Sequence, residues 1–254
     1  MAEAEEKVVG NVGMYSVTFD PPLGSGTFGM VHKAVHKTTK QVVAAKRIII
    51  GDSHTIIKGM QDMAQREIQI MKELTSHPNI VEVYESTIKK NVCWLFMEFC
   101  DLGNLNGYMR SKKEELPIRD LLEMMRQCSS ALVFMHSQNP PIIHRDIKPE
   151  NILMKREGRA DMIKITDFGV SKLCVGQQSL TQALGRGHVM ETTCGSPYFM
   201  APEFFAEMEG GTEYDSSVDV FSLGLVFLVL EDRKSMQDMV PLSGKNTYIS
   251  IDLW

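Results

Sequence analysis

An acidic residue on the apolar face of a predicted helix most limits how this chain can fold. Met60, Ala64, Glu67, Met71 and Leu74 recur at spacings of three and four residues, so they share one helical face. A carboxylate in such a core-facing position is costly unless a cation meets it. The fold must therefore bring a basic side chain from another element to Glu67.

The segments around this helix are typical of a small antiparallel sheet. Short apolar runs between polar turns predict strands at residues 42–46, 80–84 and 92–97. Lys46 ends the first run. Taken alone it is compatible with a surface lysine, but an ion pair with Glu67 would solve the burial problem of both residues. The ammonium group would remain able to hold phosphate oxygens.

A glycine-rich turn precedes the first of these strands. Glycines permit a tight hairpin and let backbone N–H groups approach phosphate oxygens closely. The same pattern occurs in flexible hairpins and in dinucleotide-binding fingerprints, although the latter need a following helix where this chain has a predicted strand. The turn contains Leu23, Gly24, Ser25, Gly26, Thr27, Phe28 and Gly29, followed by Met30 and Val31.

The pattern becomes mostly helical after a turn at residues 100–104. The apolar run 218–230 predicts a helix buried in a larger lobe, and short strands are predicted at 142–144 and 163–166. Residues 174–192 have no apolar period and predict a mobile loop. One further helix is predicted by the apolar stripe Leu121, Met125, Cys128, Leu132 and Met135.

The overall composition is that of a globular protein. Of 254 residues, 43% are hydrophobic, and the net charge of −5 gives no indication of nucleic-acid binding. Five scattered cysteines, an odd number, indicate reduced thiols and an intracellular protein. The acidic N-terminus lacks a signal-peptide pattern, and the run 218–230 is too short to span a bilayer.

Three polar strings in the second half follow the glycine-rich turn in a fixed order. The first runs from His144 to Asn151 and reads HRDIKPEN; the second is Asp167-Phe168-Gly169; the third is Ala201-Pro202-Glu203. Together with Lys46 and Glu67, these strings closely resemble the eukaryotic protein kinase family over residues 15 to 230.

The resemblance implies an α+β, bilobal fold with ATP between the lobes. An N-terminal tail (1–14) would precede a kinase domain with a small β-rich N-lobe (15–97), a hinge (98–104) and a mostly helical C-lobe (105–254). Kinase domains usually continue for several more helices, so either this is a fragment or spliced product, or the tail 245–254 substitutes for those helices. Glu203 would then be a partly buried carboxylate without its usual arginine partner.

The resemblance also assigns catalytic roles. Lys46, paired with Glu67, would hold the phosphate oxygens. Asp146 would accept the proton of the substrate hydroxyl, and Lys148 would steady the transferred phosphoryl group. Asn151 and Asp167 would bind Mg²⁺, with Mn²⁺ as an alternative. Val31 and Ala44 would lie above the adenine and Leu153 below it, with Met97 as gatekeeper and the backbone of 98–100 reading the adenine edge. The residues expected to contact ATP are Leu23, Gly24, Ser25, Gly26, Thr27, Phe28, Gly29, Val31, Ala44, Lys46, Met97, Glu98, Cys100 and Leu153.

Several positions resemble the serine/threonine branch of the family. Lys148 and the segment Gly195-Ser196-Pro197-Tyr198 are typical of it, and Ser196 would contact both Asp146 and Lys148. Glu150 would attract a basic substrate residue, although Asn104 stands where strongly basophilic kinases often have an acid.

Arg145 is similar to the arginine of kinases that are switched by phosphorylation in the activation loop. Thr192, with Thr193 as its neighbour, is the expected acceptor for an upstream kinase. Both threonines are also compatible with ordinary polar loop positions.

The regulatory spine of the family and one of its branches are also matched. Met71, Val83, His144 and Phe168 fall on the spine, and Asp219 would anchor its base. The stretch 97–109 and the segment 130–136 resemble an orphan branch of kinases reported to bind PDZ-LIM proteins.

The expected function is transfer of the ATP γ-phosphoryl group to serine or threonine hydroxyls of protein substrates, in the cytoplasm or the nucleus. One alternative is a truncated kinase-like protein that binds nucleotide or partners with little turnover. The complete set of catalytic residues favours the enzyme, and the short C-lobe favours the alternative. A small-molecule kinase of related fold is a third interpretation, but such enzymes generally lack a segment like 195–203.

Overall fold

The computed structural model describes residues 9–26, 29–49, 68–69, 71–89, 92–112, 114–167, 197–203 and 215–231. Seven strands within these ranges form one antiparallel sheet in the order β1-β2-β4-β5-β7-β6, with β3 paired to β4. The strands are β1 (Val9–Val12), β2 (Tyr15–Thr18), β3 (Gly24–Gly26), β4 (Gly29–His36), β5 (Val42–Ile49), β6 (Val83–Lys89) and β7 (Val92–Glu98).

The predicted strands fall within this sheet with two differences. The runs 42–46 and 92–97 lie in β5 and β7, but the run 80–84 enters β6 only at Val83, since Ile80 forms an isolated bridge with Ile165. Residues 9–12, expected in an N-terminal tail, form β1 and pair with β2. The sheet therefore begins earlier than the resemblance implied.

The two faces of the sheet have different surroundings. Val31 pairs with Lys46 and Ala44 pairs with Met97, so these four side chains share the face that contributes to the larger hydrophobic core. The other face carries a separate cluster in which Tyr15 stacks on Phe96 with ring centroids 3.7 Å apart. Its buried members are Tyr15, Val17, Ala34, Val43, Ala45, Trp94 and Phe96.

The second half contains helices and one hairpin. Helix α1 (Leu105–Ser111), helix α2 (Ile118–His136), the antiparallel hairpin β8 (Ile152–Glu157) and β9 (Ala160–Ile165), and helix α3 (Ser217–Glu231) follow in chain order. The larger core joins the inner face of the sheet to buried side chains of all these elements. The predicted bilobal α+β class is confirmed.

The strand predicted at 142–144 is wrong. The N–H of Ile142 donates to the carbonyl of Met135 at the end of α2, and the N–H of His144 donates to the carboxylate of Asp219. These backbone groups are paired with a helix end and a side chain, so they form no strand ladder. The strand predicted at 163–166 corresponds to the end of β9.

Helix α2 buries Cys128, Leu132 and Met135 of its predicted apolar stripe, but the buried face is shifted at the N-terminal half of the helix. Met125 is 38% exposed, and the neighbouring Met124 is buried in its place. The cause is a polar residue: the side-chain oxygen of Gln127 accepts from Asn79 Nδ2 at 3.0 Å and from the Ile163 N–H at 2.8 Å. These bonds turn Gln127, which no apolar pattern includes, toward the core.

Helix α3 contains the predicted run 218–230, but only one side of it is buried in the larger lobe. Val226 is fully buried, whereas Val220 is 61% exposed and Phe221 is 40% exposed. Residues 71–74 are helical, and Met71 and Leu74 are buried as predicted. Glu67 and the predicted loop 174–192 lie outside the described residues. None of the described helices has the length and apolar character needed to cross a membrane.

Candidate active site

The catalytic loop holds Asp146 in one orientation. Asp146 is 7% exposed, and its Oδ2 accepts hydrogen bonds from Lys148 Nζ at 2.9 Å and from Asn151 Nδ2 at 2.8 Å. The same Asn151 nitrogen also donates to the Asp146 carbonyl at 2.8 Å. The carboxylate is therefore fixed by two donors from its own loop, which is the arrangement expected of a group that must accept a proton from a bound hydroxyl.

Asn151 and Asp167 lie beside each other and offer oxygen atoms. The Thr166 N–H donates to the Asn151 carbonyl at 3.0 Å, which places the next residue, Asp167, beside Asn151. Since Asn151 Nδ2 bonds to Asp146, the amide oxygen is the atom left for a cation. Carboxylate and amide oxygens are ligands that Mg²⁺ prefers, so this pair fits the metal that the resemblance implies.

Lys46 contacts Asp167 across the site. Its Nζ lies 2.5 Å from Asp167 Oδ1, and the lysine is 6% exposed on β5. Burial alone would raise the pKa of Asp167, but Lys46, and then His144 and Lys148, hold the pKa below its ordinary value. Asp167 is therefore held as a carboxylate, the form that binds a divalent cation.

Asp219, at the start of α3, fixes the backbone of the catalytic loop. It is fully buried, and its two oxygens accept from the N–H groups of His144 and Arg145, each at 2.7 Å. His136 Nε2 lies 2.8 Å from the same carboxylate. These bonds hold Arg145 in the left-handed region, at φ of 67°, which a residue other than glycine rarely adopts.

The described parts of the glycine-rich segment form an antiparallel pair of strands. Gly24 pairs with Val31 and Ser25 pairs with Met30, which makes β3 and β4 the two arms. Gly29 has φ of 139°, and a Cβ there would lie 1.9 Å from the Arg47 carbonyl oxygen of β5. Only glycine therefore fits at this position. Leu23, the residue before β3, is 47% exposed.

The hinge is attached to the β8–β9 hairpin. The Leu102 N–H donates to the Met154 carbonyl at 3.1 Å, and the Met154 N–H donates to the Gly103 carbonyl at 2.8 Å. Leu153, expected below the adenine, forms a bridge with Asn104. Cys100 is buried, and burial raises the pKa of its thiol to about 12.

Glu98 forms ion pairs that the sequence did not predict. Its carboxylate lies 2.6 Å from Lys155 Nζ and 3.1 Å from Lys164 Nζ, on the two strands of that hairpin. Burial raises the pKa of Glu98, but the two lysines and the Glu82 N–H outweigh it, so the pKa lies below its ordinary value. Lys155 and Lys164 follow Glu98 by 57 and 66 positions, so no local sequence pattern predicts these ion pairs.

The side expected to face the substrate is only partly described. Glu150 is exposed, and its carboxylate accepts from Asn106 Nδ2 at 2.5 Å. Glu203 is exposed, so the partly buried carboxylate expected there is wrong: water solvates this charge. The expected site residues Thr27, Phe28, Glu67, Phe168, Thr192, Thr193 and Ser196 lie outside the described residues.

Comparison with known proteins agrees with this geometry. The family model described as "Protein kinase domain" matches residues 17–245. The chain therefore belongs to the protein kinase domain family.

Three relatives are serine/threonine-protein kinases by name. The chain is 33% identical over 92% of its length to pakH of Dictyostelium discoideum, 36% over 84% to hippo of Drosophila melanogaster, and 34% over 87% to cst-1 of Caenorhabditis briggsae. These matches cover 40%, 28% and 40% of the respective relatives, so the chain spans well under half of their length.

Proposed function

We propose that this chain transfers the γ-phosphoryl group of ATP to serine or threonine hydroxyls of protein substrates. The observation that carries the proposal is the orientation of Asp146, whose Oδ2 is held by Lys148 and Asn151 in a buried loop. The names of the relatives support the serine/threonine class, as do Lys148 and the segment 195–198.

The residues of the site divide the reaction between them. Asp146 accepts the hydroxyl proton as the hydroxyl oxygen bonds to the γ-phosphorus and the bond to the leaving ADP oxygen breaks. Lys148, 2.9 Å from that carboxylate, lies where it can stabilise negative charge on the transferred group. Lys46 offers an ammonium group to the phosphates, and Asn151 and Asp167 would hold Mg²⁺, which supplies positive charge there when bound.

Further expectations extend the proposal beyond the described site. Support for a basic substrate preference comes from the exposed carboxylate of Glu150, and Arg145 supports control by phosphorylation at Thr192 or Thr193. Mn²⁺ would fit the same oxygen ligands as Mg²⁺. The cysteines at 93, 100 and 128 are free thiols, which favours an intracellular site such as the cytoplasm or the nucleus. Membership of the branch reported to bind PDZ-LIM proteins stays a prediction.

The decisive experiment measures transfer of radiolabelled phosphate to a generic serine/threonine substrate. We expect Asp146→Asn to lower kcat by about 100-fold or more, because the amide cannot accept the proton. Asp120→Asn, on α2 with its side chain 43% exposed, serves as the control and should retain wild-type activity. Transfer that is absent from the wild type, or that Asp146→Asn leaves unchanged, would overturn the proposal.

A second measurement tests the alternative of a nucleotide-binding protein with little turnover. If the wild type and Asp146→Asn both gain thermal stability with MgATP but neither transfers phosphate, the alternative is favoured. If MgATP changes the melting temperature of neither protein, both functions are contradicted.

A further inference from the structure

The carboxylate of Glu98 is buried at the point where the sheet passes into the hinge. Glu98 is 4% exposed and is the last residue of β7. Its Oε1 lies 2.6 Å from Lys155 Nζ and 3.1 Å from Lys164 Nζ, and its Oε2 accepts from the Glu82 N–H at 3.2 Å. These three polar contacts fix where β7 ends.

Both lysines belong to one face of the β8–β9 hairpin. Lys164 pairs directly with Leu153, and Lys155 lies two residues further along β8, so all three side chains point to the same side. Leu153 is the residue expected below the adenine. The ion pairs with Glu98 therefore connect the end of β7 to the face that carries Leu153.

The same hairpin also holds the other end of the hinge. Its Met154 exchanges backbone hydrogen bonds with Leu102 and Gly103, at 3.1 and 2.8 Å. The segment 98–103 is thus fixed at its beginning by ion pairs and at its end by backbone bonds. We call Glu98, Lys155 and Lys164 the hinge clamp.

The clamp resists displacement because its carboxylate is buried. A shift of the Glu98 backbone away from the hairpin would leave a buried charge without its cations, which is strongly unfavourable. Glu157 is the other acid near the lysines, at 3.4 Å from Lys155 and 4.0 Å from Lys164, but it is 46% exposed and solvated. It cannot hold the hinge, because it lies on the hairpin itself.

We infer that Lys155 and Lys164 are positioning residues that fix the hinge backbone through Glu98 and thereby set the preference for adenine over guanine. The inference rests on the proposed function. Adenine presents an amino donor and a ring acceptor on its pairing edge, whereas guanine presents an oxygen acceptor and an N–H donor. A fixed peptide segment that matches one purine leaves buried polar groups unpaired with the other. If the clamp no longer fixes the hinge, the hinge backbone can shift and bind adenine and guanine with more similar affinities.

The test compares the dissociation constants of MgATP and MgGTP by competition against a fluorescent nucleotide. In the double variant Lys155→Met, Lys164→Met we expect the ratio of GTP to ATP dissociation constants to fall by about tenfold, mainly through weaker ATP binding. The single variant Lys155→Arg keeps a cation beside Glu98, so its ratio of GTP to ATP dissociation constants should stay close to that of the wild type. Glu157→Gln removes a charge from the same cluster without touching the hinge, so its ratio should equal that of the wild type.

Two outcomes with a folded double variant would overturn the inference. An unchanged ratio in the double variant, with a lowered melting temperature, would show that the clamp only stabilises the fold. An equal change in Glu157→Gln would show that general charge, not the clamp, sets the preference. A wild type that binds no MgATP would instead contradict the proposed function itself. If the double variant does not fold, each single variant keeps one cation on Glu98, and a ratio unchanged in both singles would decide against the inference.

Discussion

The catalytic loop and the hinge are each held by one buried carboxylate, but the two carboxylates have different partners. Asp219 is satisfied by the backbone N–H groups of His144 and Arg145 and by the ring of His136. Glu98 is satisfied mainly by the side chains of Lys155 and Lys164. Asp219 fixes the backbone of the catalytic loop directly. Glu98 joins β7 to the β8–β9 hairpin through the long, flexible side chains of two lysines.

This difference indicates what each region can tolerate. Backbone donors have no rotamer freedom, so the position of Asp219 determines that of the loop, including the left-handed Arg145. Lysine side chains have rotamer freedom, so holding Lys155 and Lys164 on Glu98 costs side-chain entropy and makes this the weaker of the two anchors. We therefore expect damage at Asp219 to affect chemistry and damage at the hinge clamp to affect ligand choice.

The largest effect is expected at Asp219. Asp219→Asn replaces one acceptor oxygen with an amino group that would face a backbone N–H, so one of the two 2.7 Å bonds is lost and a donor is left unpaired. The free energy of unfolding should fall by about 3 kcal/mol. The kcat should fall by about tenfold or more, because the loop that orients Asp146 loses its anchor, while KM for ATP changes little.

Urea unfolding and steady-state kinetics check this prediction. Asp215→Asn is the matched control: Asp215 is exposed two residues before α3 and accepts from the Ser217 N–H at 2.8 Å. Asp215→Asn should lower the free energy of unfolding by no more than about 1 kcal/mol and leave kcat unchanged. If Asp219→Asn raised KM for ATP with kcat intact, the contrast between loop and hinge would not hold.

Glu98→Gln tests the hinge carboxylate through the pH dependence of stability. The folded-state pKa of Glu98 lies below its ordinary value of 4.5, so its ion pairs stabilise the fold above that value and are lost as pH falls through the folded pKa. At pH 7 the variant should be less stable by about 2 kcal/mol, less than for a fully enclosed pair because Lys155 is partly exposed.

The difference in the free energy of unfolding between the wild type and Glu98→Gln should shrink below pH 4.5 and disappear near the folded-state pKa of Glu98. Urea unfolding at a series of pH values measures it. Glu157→Gln, at an exposed position beside the same lysines, should differ from the wild type by less than about 0.5 kcal/mol throughout. A stability difference for Glu98→Gln that is constant with pH would contradict a role for its charge.

The sequence predicts best what lies in contiguous strings. Asp146, Lys148 and Asn151 lie within six consecutive positions, so a compact turn brings them together. Lys46 was identified because it ends an apolar run near a glycine-rich turn. The structure places it inside β5, which continues to Ile49, and against Asp167. The family and the bilobal class follow from the order of these strings, and both are confirmed.

Hydrophobic periodicity could not predict features held by distant or polar partners, although the resemblance did place Asp219 at the base of the spine that contains His144. His136 and Asp219 are 83 residues apart, and Gln127 faces the core because of hydrogen bonds that hydrophobic periodicity does not register. The Glu98 ion pairs depend on the register of β8 against β9, which places Lys164 opposite Leu153. Such contacts depend on tertiary packing, and a propensity pattern contains no information about them.

The smallest effect is expected at His136, the side-chain partner of Asp219. His136→Phe keeps a ring of similar size and removes the hydrogen bond at 2.8 Å, while the two backbone N–H groups still hold the carboxylate. We expect the free energy of unfolding to fall by about 1 kcal/mol and kcat to stay within about threefold of the wild type. In the Asp219→Asn background the same substitution should cost about half as much or less, since its charged acceptor is gone. Equal costs in both backgrounds, measured by urea unfolding, would show that His136 stabilises the fold by packing and not through Asp219.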